Sequence, residues 1–115
     1  MQLDLEVNQE GPVRVVTARG EIDLATVSTF RDTLNDLIVD GSVDLVVDLD
    51  GVTFLDSSGL GVLIGARRRI HAFKGSFAIV CTDGAPMQVF RITGLDKVFT
   101  FYATQAEALQ LAAPN

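Results

Sequence analysis

The chain has 115 residues, 48% of them apolar, with seven Phe, no Trp and a formal net charge of −6. That is enough for one compact domain spanning 1–115 and too little for two. A single cysteine, Cys81, excludes an internal disulfide and any all-thiolate metal site, and the acidic balance argues against nucleic acid as a direct ligand.

The opening Met1-Gln2-Leu3-Asp4-Leu5-Glu6 has no basic segment leading into an apolar run, so it does not read as a secretion signal. Nowhere are there the roughly 18 uninterrupted apolar residues of a membrane span. A cytoplasmic protein with no membrane contact is expected.

Leu3–Val7 alternates apolar and polar, and Gln9-Glu10-Gly11-Pro12 supplies turn residues before Val13–Ala18 resumes strand character. The two runs predict an antiparallel hairpin. Gly20-Glu21-Ile22-Asp23 ends it and leads into a helix whose apolar stripe is Val27, Phe30, Leu34, Leu37 and Ile38. Asp40-Gly41 stops that helix. Val43–Leu49, rich in β-branched residues, predicts a central strand, followed by a connection over 50–56 with Phe54 and Leu55 pointing inward.

Ser57–Phe73 predicts a second helix, buried along Leu63, Ala66, Ile70 and Phe73 and stopped by Gly75. Phe77–Cys81 reads as a strand covered on both faces. A short helix near Met87–Ile92, closed by Gly94, and a last strand over Val98–Tyr102 follow. Thr104–Ala113 predicts a final helix, capped by Thr104 with Glu107 as its capping-box partner and packed through Ala106, Leu109 and Ala113. The order ββαβαβαβα implies an α/β domain with about four helices on a mixed sheet.

The segment Thr53-Phe54-Leu55-Asp56-Ser57-Ser58-Gly59-Leu60-Gly61-Val62-Leu63 places a carboxylate and two hydroxyls at a helix start, where side-chain oxygens satisfy the unpaired N–H groups. Capping alone explains such a trio. Capping does not explain Gly59, Gly61 and Gly65, each of which costs the helix about 1 kcal/mol relative to Ala. Ser58, Gly61, Gly65 and Arg68 fall at spacings of three and four, so they share a face with hydroxyls at one end, almost no side chains in the middle and a cation at the other. Such a track lets another backbone approach, from this fold or from a partner. A phosphoryl group on Ser57 would sit at the positive end of the helix dipole, beside Asp56 and, on the same rim, Asp23. It would repel a docked acidic or apolar partner without unfolding the domain.

These residues carry a resemblance. The Gly20–Asp23 turn and the Phe54–Leu63 segment resemble those of the STAS-domain anti-sigma factor antagonists of bacteria, and the similarity extends over essentially the whole chain to Gly94-Leu95. It implies the STAS fold and a partner-switching cycle. The unphosphorylated protein binds an anti-sigma factor that is also a serine kinase, freeing the sigma factor. The kinase uses ATP to phosphorylate the first hydroxyl after the Asp, here Ser57, and the complex parts; a metal-dependent serine phosphatase restores it. The family's kinase-binding acid at the Glu-x-Asp turn falls on Asp23. The partner-binding set is thus Asp23, Asp56, Ser57, Ser58, Gly59, Gly61, Gly65 and Arg68, in a chain expected to be monomeric when free and to hold no cofactor.

Four other readings bear on the same residues. Asp44–Asp50 resembles the strand of a receiver domain, but the acidic pair and the terminal-strand Lys that a receiver needs are out of place, with Lys97 ahead of the last strand. An enzyme with Ser57 as nucleophile needs a base, and the one histidine, His71, lies 14 residues along the same helix, about 20 Å away. Gly59-x-Gly61-x-x-x-Gly65 lacks the spacing of a phosphate-binding loop. A STAS scaffold, or a regulator of another kinase, remains the alternative. Arg67, Arg68 and Arg69, with Lys74, read as a solvated helix face that complements the dipole.

Overall fold

The computed structural model describes residues 2–112 of the chain, with side chains to Gln110; Ala113 lies outside the described residues. Strands β1 (Leu3–Glu10) and β2 (Val13–Ile22) form the antiparallel hairpin, with Glu10 facing Val13 across a turn in which Gly11 takes φ +61°. Helix α1 (Val27–Val39) then leads to β3 (Asp44–Leu55), α2 (Ser57–Ala72) to β4 (Ser76–Val80), and α3 (Ala85–Thr93) to β5 (Thr100–Tyr102); α4 (Gln105–Ala112) closes the chain. The sheet runs β1-β2-β3-β4-β5, parallel from β2 onward. The predicted element order is the one observed.

Apolar side chains on both sheet faces dictate the layering. Val16, Ala18, Ile22, Leu45, Val47, Leu49, Phe77 and Ile79 pack against Phe30 and Leu34 of α1, Leu63, Ala66 and Ile70 of α2, and Phe90 of α3. The opposite face, from Val13, Val15, Val46, Ala78 and Val80, is covered by Ala108 of α4 with Leu109 beside it. Each central strand is therefore apolar at successive positions, as strands between two layers must be.

Several boundaries differ from the sequence reading, each for a local reason. β2 continues through Gly20 to Ile22 and β3 through Asp50 to Leu55, because the two strands keep pairing there. β3 takes ten residue steps from Leu45 to Leu55 where β2 takes eight from Arg14 to Ile22, so β3 carries two bulges. Val52 points into the core; the second bulge then hands the inward position to Leu55 and leaves Phe54 outward, 47% exposed, contrary to expectation. Phe73, expected in the core, is 63% exposed because α2 ends at Ala72 and Phe73 is its C-cap. Ala106 is exposed and Ala108 takes its place against the sheet. Thr104 Oγ1 does accept from the Glu107 N–H at 3.2 Å.

Candidate functional site

The candidate site lies where β2 and β3 end side by side. Ile22 pairs with Leu55, and the Asp56 N–H donates to the Ile22 carbonyl at 3.2 Å, so the turns after the two strands are neighbours. The turn after β2 is built on Asp23, whose Oδ1 accepts from the N–H groups of Ala25 at 2.9 Å and Thr26 at 3.1 Å. Thr26 Oγ1 donates to the Glu21 carbonyl at 2.8 Å and accepts from the Asp23 N–H at 3.0 Å, tying the start of α1 to the end of β2. Asp23 is thus 8% exposed, with its carboxylate turned into its own turn rather than out along the rim. The next residue, Leu24, is 82% exposed.

The turn after β3 is built on Asp56, the N-cap of α2. Its Oδ1 accepts from the N–H of Ser58 at 2.9 Å and of Gly59 at 3.3 Å, and from the Ser58 hydroxyl. These bonds hold the Asp56 carboxyl below the usual range, the Ser58 hydroxyl most of all; burial opposes them, and the N–H groups of Gly59, Ser58 and Leu24 add to them. The Ser58 hydroxyl is therefore committed inward. Ser57, one residue earlier, is exposed at the first turn of α2.

The three glycines have different roles. At Gly59 a Cβ would lie 2.5 Å from Leu55 Cδ1 and 2.7 Å from Ile22 Cγ2, so this glycine lets α2 close onto the strand ends. A Cβ at Gly61 or Gly65 would meet nothing within 4 Å. These two form the floor of an open groove of about 320 Å³ between α1 and α2, lined by Arg31, Ser58, Gly61, Val62, Gly65 and Arg69. The bare track is therefore not filled by this fold.

The cation of the groove is Arg69, not Arg68 as the spacing suggested. Arg68 is exposed and does not line the groove, whereas Arg69 is drawn across it by a hydrogen bond to Asn35 Oδ1 of α1, with Nε directed at the Gly65 carbonyl at 3.4 Å. The face that α2 turns to the groove is accordingly Ser58, Gly61, Gly65 and Arg69, at spacings of three, four and four. Sequence reasoning also missed Arg31 and Leu24. The signal for Leu24 was present, as a large apolar residue outside the α1 stripe; none existed for Arg31, which needed the packing of α1 on α2.

α2 is continuous from Ser57 to Ala72, so the exposed His71 stays some 14 residues, about 20 Å, from Ser57 and cannot act as its base. The Asp48 and Asp50 carboxylates of the receiver-like strand are engaged elsewhere. Asp48 Oδ2 accepts from Gln105 Nε2 at 2.6 Å, and Asp50 Oδ1 accepts from the Thr82 N–H at 2.9 Å and hydroxyl at 2.8 Å. Among the described residues, no helix is long and apolar enough to cross a membrane.

Comparison with known proteins places this geometry. The family model described as the STAS domain matches residues 4–108. The chain is 30% identical over 107 residues to the anti-sigma-F factor antagonist RsfB of Mycobacterium tuberculosis, covering 93% of this chain and 87% of that protein. It is 30% identical over 95 residues to the anti-sigma-B factor antagonist of Staphylococcus aureus, covering 83% and 88%. The crystal structure of an anti-sigma factor antagonist from Mycobacterium paratuberculosis superposes with a TM-score of 0.89 at 32% identity, over 96% of this chain and 94% of that one.

Proposed function

The chain belongs to the STAS-domain family, and from that premise we propose that it is an anti-sigma factor antagonist working by partner switching in the bacterial cytoplasm. Unphosphorylated, it binds an anti-sigma factor that is also a serine kinase and so releases the sigma factor. Phosphorylation of Ser57 by that kinase ends the complex, and a serine phosphatase resets it. The protein acts by binding rather than by catalysis, needs no cofactor and is a monomer when free.

One observation carries this reading: of the two adjacent hydroxyls, Ser58 is spent on Asp56 and Ser57 stands exposed at the first turn of α2. A phosphoryl group there adds close to two negative charges where the helix dipole tolerates them. The Asp56 Oδ1 already accepts from the Ser58 N–H, the Ser58 hydroxyl and the Gly59 N–H, and Ser57 takes no part in these bonds, so the added charge breaks none of them. A partner seated on the rim against Leu24, Asp56 and Ser57 loses its fit instead. Asp23 supports that surface by shaping the turn that presents Leu24.

The test is a pull-down with intact-mass measurement after incubation of the source-cell lysate with ATP. A serine kinase of the anti-sigma class should co-purify, and the wild-type mass should rise by one phosphoryl group. Ser57→Ala should stay unmodified and bound, and Ser57→Asp should lose the partner. A phosphoryl group on Ser58 alone, or one that survives Ser57→Ala and vanishes on removal of Asp48 or Asp50, would overturn the reading.

A further inference from the structure

We propose that the groove between α1 and α2 seats a helical segment of the partner that presents a carboxylate to Arg31 and Arg69. This rests on the antagonist reading and names the chemistry of the partner surface.

The groove is concave, about 320 Å³ and open. Two arginines from two different helices line it. Arg69 is aimed by its bonds to Asn35 and to the Gly65 carbonyl, and Arg31 lines the wall from α1. Among the described residues the ion pairs are Arg19 with Glu6 and Arg91 with Asp83, so neither groove arginine has an acidic partner, in a chain whose net charge is −6. Two arginines without an acidic partner, lining one concavity of an acidic protein, call for an anionic occupant.

The shape makes that occupant a segment rather than a lone ion. Between the cationic end and the serines, the floor is the bare backbone of Gly61 and Gly65 with Val62 beside it, which offers an isolated anion nothing. From Ser58 to Arg69 this face covers eleven residue steps, about 16 Å of helix, or three turns. A missing ridge lets the ridge of a second helix settle close, which is how helices pack at short range. The glycines only make room; the arginine pair decides what fills it. Ser57 lies outside the groove lining and about 18 Å of helix from Arg69, so phosphate there acts on the partner's contact with the rim and not on the carboxylate held at Arg69.

The experiment is calorimetric titration of the purified anti-sigma factor retained by the unphosphorylated wild-type protein. It is run against Arg31→Glu, Arg69→Glu, Gly65→Leu and, as an exposed cation outside the groove, Lys97→Glu. Each arginine reversal should weaken binding at least tenfold, and Lys97→Glu should stay within twofold. Gly65→Leu should abolish binding while the circular dichroism spectrum and melting temperature hold. Binding of both arginine variants within twofold of wild type, or an equal loss in Lys97→Glu, overturns the groove assignment and leaves the antagonist reading standing. A wild type that binds no anti-sigma factor, or a Ser57→Asp variant that binds as tightly as wild type, sinks the antagonist reading and the groove with it.

Discussion

The Ser58 hydroxyl donates to the Asp56 carboxylate, and this bond does most to keep that carboxyl below its usual range. A carboxyl depressed in the fold stabilises it fully above the unfolded value of about 3.9, and the contribution is lost as pH falls through the lower folded value. Ser58→Ala should therefore cost about 1 kcal/mol at pH 7 and flatten the loss of stability below about pH 4. Urea midpoints across an acid pH series measure both. A variant as stable as wild type, with an unchanged acid limb, would contradict the assignment.

The glycines of α2 should separate in opposite directions. Gly59→Ala brings a methyl against Leu55 and Ile22, and overpacking of this kind costs about 1–3 kcal/mol. Gly61→Ala and Gly65→Ala meet open space and should each gain up to about 1 kcal/mol of helix stability. Chemical denaturation of the three variants reads the signs directly.

Asp23 works as an acceptor for Ala25 and Thr26, which asks for an oxygen rather than a charge. Asp23→Ala should lose about 1 kcal/mol, while Asp23→Asn should keep most of the stability. If partner affinity drops for Asn at wild-type stability, the charge itself contacts the partner; if it drops only for Ala, the turn is what matters.

Cys81 is buried, and burial, followed by the Asp50 and Asp48 carboxylates, pushes its thiol up to about 11. At pH 8 it should react with a thiol reagent orders of magnitude more slowly in the folded protein than in denaturant. Rapid labelling without denaturant would show that the β4 end opens.

The element order was readable because each apolar stripe repeats at the period of its element. The five stripe residues of α1, from Val27 to Ile38, are all buried. What the sequence hid were features set by a neighbour. Phe54 looked like core because bulges shift the strand period without any residue announcing them. Phe73 continued the α2 stripe but fell past the last turn. The serine pair and Asp56 were legible as a helix start, since capping is local chemistry. From Gly65, steps of three and four reach Arg68 and Arg69 alike, and only Asn35 on the adjoining helix selects Arg69.

The two additional residues in β3 also have a bearing on how this chain can change length. They let a ten-step strand finish level with an eight-step one, so that the α1 and α2 entry turns stand shoulder to shoulder. Loss of one outward residue at a bulge, Asp50 or Thr53, would remove that bulge, restore plain alternation and leave every later pair on its present face. The bulged stretch is therefore the part of β3 that can shorten by a residue while the two entry turns stay level.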